Sequence, residues 1–288
     1  MNEYEIRYSK PVDHFLGISV EKMSNGGYQL HQEILVDRML DTYKVQLDKS
    51  KTLPHDTRVK DLNIEGEPEE KFPKYRSLLG GSQFLSTNTR PDITQAVAAL
   101  SRYQNAPHQL HWDLAIHILQ YVANTKRHGL YIPRLTETPK LTAYVDANHP
   151  VDRPVSGGMV FLGTTPISWW SERQKSAMRS TADSETMAMS VGVKKVQGVI
   201  PLYNSFFGVC DPVPIDTDNR ATFYRANTMQ VNSGNAHIMR HVNVITDCVG
   251  QGLVKINSCR GKANVSDMLT KGYQRTSLKS MLLWWLAG

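Results

Sequence analysis

Apolar and polar positions alternate most clearly between residues 140 and 173, where they predict three consecutive strands. The first strand, Leu141 to Ala147, carries Asp146 at a position where a strand buries apolar groups. A Ser-Gly-Gly turn leads into a second apolar run, Met159 to Gly163, and Thr-Thr-Pro turns this run back into a third at 167–170. Turn residues of these types between short apolar runs favour hairpins. The segment is therefore predicted to begin a sheet that has a carboxylate on its first strand.

Beyond this hairpin the pattern predicts helices that alternate with two more strands. An apolar stripe at helical spacing covers 181–207, with Glu185 in its first turns, and the run 213–218 predicts a fourth strand that ends in acids. A short helix, a loop and another helix follow before the last strand, at 253–258. Asp267 then falls in the first turn of a further helix. Strands that alternate with helices indicate a mixed sheet covered by helices.

Residues 1–135 show a different pattern, a hairpin followed by helices. Two β-prone runs, 14–21 and 27–31, flank an Asn-Gly-Gly sequence that accepts the positive φ of tight turns. A polar connection is predicted at 46–72. Four stretches have apolar residues at helical spacing: 33–45, 74–86, a helix opened by Pro91, and 108–124. The polar, proline-bearing stretch 132–140 predicts a boundary, so the two domains are expected at 1–135 and 136–288.

Composition narrows the classes of function without selecting one. The chain has 33 Lys and Arg against 27 Asp and Glu, and residues 136–288 hold 16 basic against 11 acidic residues. A net charge of +6 favours polyanionic partners such as nucleic acids. The three cysteines suit neither a disulfide framework nor a zinc site. Because neither a signal peptide nor a membrane-spanning apolar run is found, we expect an intracellular protein, cytoplasmic or nuclear, that is not secreted and has no membrane partner.

Four acids fall at the ends of predicted elements, where a sheet meets its helices: Asp146, Glu185, Asp218 and Asp267. Hydrolysis of a phosphodiester at neutral pH needs an activated water and a stabilised leaving oxygen, and two divalent ions roughly 3.5–4 Å apart supply both. Carboxylate oxygens are ligands that suit Mg²⁺. Taken singly, an Asp at a strand end or a Glu in a first helical turn is more often a cap or a partner of the helix dipole. The pattern by itself leaves both interpretations open.

Several short motifs occur in one fixed order in the second half of the chain: YVDA at 144–147, SGGMVFLG at 156–163, ISWWSERQK at 167–175, STADSETMA at 180–188, TDNRA at 217–221, RHVNV at 240–244 and SDMLTK at 266–271. With them, this half resembles the ribonuclease H domain of copia-type LTR retrotransposon Pol polyproteins. Two stretches of the first half, HFLGISVEK at 14–22 and YRSLLGGSQFLSTNTRPDITQAVAALSRY at 75–103, are similar to the reverse transcriptase thumb and connection of the same polyproteins. The resemblance covers essentially the whole chain.

The resemblance implies an α/β fold, a ribonuclease H-like mixed five-stranded sheet with flanking helices, preceded by a smaller, mostly helical α+β thumb and connection region. It implies that Asp146, Glu185, Asp218 and Asp267 are catalytic and hold two Mg²⁺ ions, for which Mn²⁺ can substitute. The implied activity is endonucleolytic hydrolysis of the RNA strand of RNA–DNA hybrids. No Y-x-D-D polymerase motif occurs, so DNA synthesis by this chain alone is not expected, and a separate polymerase-bearing chain is a candidate partner.

Further polar residues near the four acids are candidates for contacts with the substrate. Asn219, Ser180 and Thr181 could bind backbone phosphates or ribose hydroxyls, although each is equally suited to capping a helix. His241 is a weaker candidate, for proton transfer or product release. A basic strip could follow the phosphate backbone, and could equally be a solvated face: Arg173, Lys175 and Arg179.

Several positions depart from the pattern of the resembled family. Asn243 stands where that family has an acid, Thr246-Asp247 replace a Tyr-His pair, Gly250 replaces a basic residue and Gly272 replaces a proline. These positions lie outside the predicted ligands but along the predicted substrate face. The alternative prediction is therefore a repurposed or decaying copy that binds nucleic acid without cutting it. A DDE-type integrase shares the sheet, but the thumb-like first half argues against it.

Overall fold

The computed structural model describes residues 12–56, 58, 62, 64, 72–148, 153–176, 178–228 and 238–271. Within these ranges the chain forms a four-stranded and a five-stranded sheet, together with a set of helices. Of the positions singled out in the sequence, Gly272 lies outside the described residues, and the connection at 46–72 lies partly outside them.

The first sheet is antiparallel, with the strand order β1-β2-β3-β4. Its strands are β1 His14–Phe15, β2 Ile18–Lys22, β3 Tyr28–His31 and β4 Leu130–Ile132. The predicted strand over 14–21 is divided because Leu16 and Gly17 take positive φ values of 48° and 82°. β4 is not predicted by the sequence. It pairs with β3, which lies far earlier in the chain, and a local pattern cannot indicate such a pairing.

Four helices of the N-terminal half enclose one apolar core: α1 Glu33–Tyr43, α2 Tyr75–Asn88, α3 Thr94–Leu100 and α4 Gln109–Asn124. Each lies where the apolar spacing predicts a helix. α2 continues through Gly80 and Gly81 although glycine disfavours helices. A Cβ added at Gly81 would lie 2.8 Å from the Met39 side chain, so glycine at this position allows α1 and α2 to approach closely.

The second sheet is mixed, with the strand order β7-β6-β5-β8-β9. Its strands are β5 Leu141–Asn148, β6 Val155–Leu162, β7 Thr165–Arg173, β8 Val213–Thr217 and β9 Val254–Ser258. β5, β6 and β7 pair in antiparallel fashion, whereas β8 and β9 add in parallel on the other side of β5. β6 and β7 are longer than predicted because only Gly163 and Thr164 form the turn between them. The predicted α/β fold with a mixed five-stranded sheet is confirmed.

Three helices flank this sheet: α5 Thr181–Phe207, α6 Arg220–Thr228 and α7 Met239–Gly250. α5 packs on β5 and β6 and shares one apolar core with the inner side chains of the sheet. The helix predicted around Asp267 is instead a short 3-10 turn, Val265–Leu269. None of the helices in the described ranges has both the length and the apolar character that crossing a membrane requires.

The register of the antiparallel strands determines which side chains share the face opposite α5. Asp146 pairs with Gly157, and Gly157 pairs with Ser171. Directly paired residues of antiparallel strands point to the same face, so these three residues lie in one row. A Cβ added at Gly157 would lie 2.7–2.8 Å from the side chains of Thr270 and Leu269. Glycine at this position therefore allows the 3-10 turn to approach the sheet beside Asp146.

The two halves of the chain touch along β7. The Trp169 indole N–H donates to the Ser86 carbonyl at 2.7 Å, and the Thr165 hydroxyl donates to the Tyr131 carbonyl at 3.0 Å. α3 packs against β7 and also against the 3-10 turn Val265–Leu269. These contacts put α3 beside the face that carries Asp146. The division into domains at 135/136 stays a prediction.

Candidate metal centre

Three of the four predicted acids meet at one edge of the second sheet. Asp146 lies near the carboxyl end of β5, Asp218 directly follows β8, and Asp267 lies in the 3-10 turn. β5 and β8 are adjacent and parallel, so their carboxyl ends lie at the same edge. One carboxylate oxygen from each of the three residues lies within 4.8 Å of the others.

Glu185 approaches this cluster from α5. Its Oε2 accepts a hydrogen bond from the backbone N–H of Ala147 at 3.1 Å. The pairing of β5 with β8 extends only as far as Tyr144 and Asp216, so the backbone of β5 beyond that pair is open on this side. Glu185 is 6% exposed and fills part of this gap. Glu185, the fourth predicted acid, thus lies next to Asp146 in the folded protein. It does not belong to the group of three clustered aspartates.

Asn264 and Thr270 hold the 3-10 turn in position, and the sequence did not suggest either of them. The Asn264 side-chain amide donates to the Val145 carbonyl of β5 at 3.0 Å, and its Oδ1 accepts from the Ser266 backbone N–H. The Thr270 hydroxyl donates to Asp146. Asn264 stands at the N-cap of the turn, a position where Asn is preferred, so a capping pattern was the available signal. Both residues fix Asp267 against β5.

Lys271 is the cation nearest to the acids. Its Nζ lies 2.7 Å from Asp267 Oδ1 and 3.6 Å from Asp146 Oδ2, and its side chain is 48% exposed. One half-exposed ammonium group therefore faces four carboxyl groups. The charge of the cluster is only partly balanced by the protein itself.

The pKa values of two acids reflect this imbalance. Burial raises the pKa of Asp146 to about 6, and the neighbouring carboxylates of Asp267 and Asp218 add to the increase, while Thr270 and Lys271 oppose it. Burial also raises the pKa of Glu185 to about 9, together with repulsion from Asp146 and Asp218. Without a further cation, Glu185 is thus largely protonated at neutral pH.

The donor set fits a small divalent cation that prefers oxygen. Two oxygens on opposite sides of an octahedral Mg²⁺ ion are about 4.2 Å apart, close to the 4.8 Å within which the three aspartate oxygens lie. A bound cation would offset the repulsion that raises the pKa values of Asp146 and Glu185. Carboxylates alone, without Cys or His, favour a hard cation over the softer transition metals.

The start of α5 is anchored by a further ion pair. Arg225 on α6 donates to the Asp183 carboxylate at 3.0 Å, to the Ala182 carbonyl at 3.2 Å and to the Thr186 hydroxyl at 2.9 Å. The Asp183 carboxylate thereby joins α5 to α6, which begins two residues after Asp218. The contact keeps Glu185 and Asp218 at the same edge of the sheet.

The predicted substrate residues near the helix starts are occupied in capping. The Asn219 Oδ1 accepts from the Thr222 backbone N–H at 2.9 Å, and the Ser180 Oγ accepts from the Asp183 backbone N–H at 3.2 Å. Ser180 and Thr181 are exposed at the start of α5, and Asn219 is half-buried next to Asp218. Their roles in substrate binding stay predictions.

The basic strip and His241 lie farther from the acids. Arg173 ends β7, and Arg173, Lys175 and Arg179 are all exposed. Burial lowers the pKa of His241, and the nearby cations Lys194 and Arg240 lower it further. Lys194 is nine residues beyond Glu185 on α5, or about 13.5 Å along the helix, so His241 lies away from the carboxylates. A catalytic role for His241 stays a prediction that this geometry does not favour.

The strand order β7-β6-β5-β8-β9, with carboxylates gathered where β5 and β8 end, defines the ribonuclease H-like class of proteins. No family model matches the chain. It is similar to the retrovirus-related Pol polyproteins from transposons RE2 and RE1 of Arabidopsis thaliana, with 26% and 27% identity over 282 residues. Each alignment covers 96% of this chain, and the chain spans only 19% of the length of either polyprotein.

A solved structure, that of the foamy viral protease-reverse transcriptase in complex with RNA/DNA hybrid, is similar at 14% identity with a TM-score of 0.48. The similarity covers 86% of this chain and 29% of that one. The fold assignment rests on the strand order and not on this similarity. The similarity to retrovirus-related Pol polyproteins over 96% of the chain supports the C-terminal Pol region that the motifs predict.

Proposed function

We propose that this chain is the C-terminal part of a retrotransposon reverse transcriptase and that it hydrolyses the RNA strand of RNA–DNA hybrids with two Mg²⁺ ions. The observation that carries the proposal is the meeting of Asp146, Asp218 and Asp267, with carboxylate oxygens within 4.8 Å of one another. Glu185 supports it, because this carboxyl group lies beside them with a pKa raised to about 9 by burial and by repulsion from Asp146 and Asp218. Such an arrangement is costly for folding and suits the binding of a cation.

In this proposal each acid has a separate task. Asp146, Asp218 and Asp267 would hold the ions, and Glu185 would be a further ligand beside them. When bound, the pair of Mg²⁺ ions supplies an activated water and stabilises the leaving oxygen. Lys271, whose half-exposed ammonium group lies near both Asp267 and Asp146, would balance part of the charge of the acids. Thr270 and Asn264 keep the ligands in position by their hydrogen bonds to Asp146 and β5.

A cleavage assay on a labelled RNA–DNA hybrid tests the proposal. We expect Mg²⁺-dependent cuts in the RNA strand, and loss of about a thousandfold or more in rate for Asp146→Asn and Glu185→Gln, because removing a ligand forfeits several kcal/mol of transition-state stabilisation. The matched control is Asp211→Asn, the same change at an exposed acid before β8. Cleavage that survives both ligand substitutions would contradict the assignment.

A second candidate function is nucleic-acid binding without cleavage. Lys271 gives the acids some compensation without a metal, and three of the departures on α7 are exposed (Asn243, Asp247 and Gly250), whereas Thr246 is buried. This candidate predicts salt-sensitive binding of the hybrid and no cleavage at any Mg²⁺ or Mn²⁺ concentration. The same assay, combined with a binding measurement, distinguishes the two functions.

The division into a thumb and connection region at 1–135 and a ribonuclease H domain at 136–288 is part of the proposal, as is a separate polymerase-bearing chain as partner. Two separate apolar cores support the division, one built from α1 to α4 and one beneath α5. Expression of residues 136–288 alone tests it, and we expect a folded domain that retains the metal site.

A further inference from the structure

A small cleft lies where the two halves of the chain meet, on the same face of the second sheet as Asp146. The N-terminal half contributes Gln95, Arg102 and two alanines from α3 and the 3-10 turn after it. The sheet contributes Val155, Ser171 and Arg173. The cleft therefore has an arginine on each side, one from each half of the chain.

The strand register relates this cleft to the acids. Ser171 lies in the same row as Asp146, with Gly157 between them, and Arg173 is two residues further along β7 on the same face. Neighbouring strands are about 4.8 Å apart, so Ser171 is roughly 10 Å from Asp146. One strand of a duplex rises about 3.4 Å per nucleotide, so a strand held at the acids passes the cleft a few nucleotides away.

Arg102 and Arg173 are the charged residues among the described residues that line the cleft. Glu172, between the two cleft residues of β7, points to the opposite face, where its carboxylate lies 3.2 Å from Lys195 of α5. Arg102 is anchored at the end of α3 by a hydrogen bond from its Nε to the Ala99 carbonyl at 3.1 Å. α3 itself is held against the sheet, because Trp169 of β7 donates to the Ser86 carbonyl that precedes it in the chain.

From this geometry we infer that Arg102 and Arg173 together bind a phosphate of the nucleic-acid backbone, a few nucleotides from the bond that is cut. The inference rests on the proposed function, in which the bound strand belongs to an RNA–DNA hybrid. Guanidinium groups bind phosphate oxygens through charge-assisted hydrogen bonds, and the Ser171 hydroxyl can add another. A phosphate contact fixes the register of a strand without selecting its sequence. The N-terminal half thus takes a direct part in positioning the substrate.

The test measures binding of a fluorescein-labelled RNA–DNA hybrid in a chelating buffer, where no strand is cut, over a series of salt concentrations. For Arg102→Gln and for Arg173→Gln we expect binding about tenfold weaker than for the wild type, the effect of losing one charge-assisted contact. The slope of log affinity against log salt should also fall by about one for each variant. Arg102→Lys keeps the charge and should restore the slope.

Arg38→Gln is the matched control, because Arg38 is an exposed arginine on α1 of the N-terminal half, outside the cleft. Thermal unfolding of each variant shows that the fold is intact. A salt slope that stays at the wild-type value in Arg102→Gln, or that falls equally in Arg38→Gln, overturns the inference. Failure of the wild-type chain to bind the hybrid overturns it as well.

The binding test and the cleavage test can give different results, so the phosphate site and the nuclease proposal are tested independently. If the wild type binds the hybrid with the expected slopes but never cuts it when Mg²⁺ is added, the phosphate site stands and the nuclease proposal falls. If the wild type cuts the hybrid but the arginine variants bind with unchanged slopes, the nuclease proposal stands and the phosphate site is wrong.

Discussion

Each half of the chain buries a group of charged side chains, but the two groups are balanced in opposite ways. In the N-terminal half, Arg90 and Asp92 are 2% and 1% exposed and form two hydrogen bonds of 3.0 and 2.7 Å. The Tyr121 hydroxyl also donates to Asp92, and Arg90 donates to the carbonyl and hydroxyl of Thr125. In the described part of the C-terminal half, four acids lie near one half-exposed lysine, Lys271.

The pKa values show the consequence of this difference. Burial alone would raise the pKa of Asp92, but Arg90 and Tyr121 outweigh it and hold the pKa below the ordinary value. Burial raises the pKa of Asp146 and of Glu185, and among the described residues Lys271 is the cation that opposes the increase. A balanced buried pair fixes the fold by itself, whereas the repulsion within an unbalanced cluster would be offset by a bound cation.

The largest expected effect concerns the balanced pair. Asp92→Asn should lower the free energy of unfolding by about 3–5 kcal/mol, because it leaves Arg90 buried without its partner. Urea unfolding measures this loss. In the metal-free protein, Asp146→Asn should not destabilise the fold and should raise its midpoint slightly, because it removes repulsion among the acids. A loss of several kcal/mol for Asp146→Asn would contradict the contrast between the two clusters.

A divalent cation should stabilise only one half. Mg²⁺ at a hundredfold excess over its Kd should add about 2.7 kcal/mol to the free energy of unfolding, since the unfolded chain has no such site. Asp146→Asn should abolish this gain, whereas Asp92→Asn should leave it unchanged. Calorimetric melting with and without Mg²⁺ provides the measurement. An equal gain in the two variants would show that the ion binds elsewhere.

Acid should weaken the N-terminal half through His55, a residue that contacts Gln95. Burial lowers the pKa of His55 to about 4 from an ordinary value of 6.5. The unfolded chain therefore takes up a proton below about pH 6.5 that the folded chain refuses until about pH 4, so stability falls as the pH decreases across that window, by about 3 kcal/mol. His55→Gln should remove this dependence, and the exposed His14→Gln should not. Urea midpoints between pH 7 and 4 test it.

Without a metal, the C-terminal half should instead become more stable as the pH decreases. The raised pKa of Glu185 means that the folded state binds a proton below about pH 9 that the unfolded state binds only near pH 4.5. Stability from this group is therefore fully present below about pH 4.5 and is lost as the pH rises from there through 9. Glu185→Gln should flatten the curve in a chelating buffer. A curve with the same slope in the variant would assign the effect to another group.

The smallest expected effect concerns the contact between the halves. Trp169→Phe removes the hydrogen bond to the Ser86 carbonyl and should cost about 1 kcal/mol. Because the Phe ring still fills the apolar layer beneath the 3-10 turn, the C-terminal core should survive. Limited proteolysis should then cut between the halves more rapidly than in the wild type. An unchanged rate would show that the remaining contacts along β7 are sufficient.

Apolar spacing and turn residues determined the helices α1 to α5, the antiparallel hairpins around β5 to β7, and the order in which four acids follow one another. These features depend on neighbours in the chain, so a linear pattern contains them. The motif resemblance added the mixed five-stranded sheet with flanking helices, which the structure confirms, whereas the strand order was found only in the structure. β4 and the 3-10 turn at Asp267 were not predicted, because the first depends on pairing with distant β3 and the second on the Asn264 contact with β5.

Only the tertiary structure decided how the acids meet and what surrounds them. The sequence identifies the four acids as candidates: Asp146, Glu185, Asp218 and Asp267. Because whole helices and strands separate them in the chain, the sequence does not determine the distances between their oxygens. The register of β5 against β6 and β8, and the close approach that Gly157 allows, set those distances. The balance of charge, with Lys271 at the acids and Arg102 brought beside Arg173 from the other half, arises from long-range packing. Packing brings together residues far apart in the chain, and no local pattern encodes that proximity.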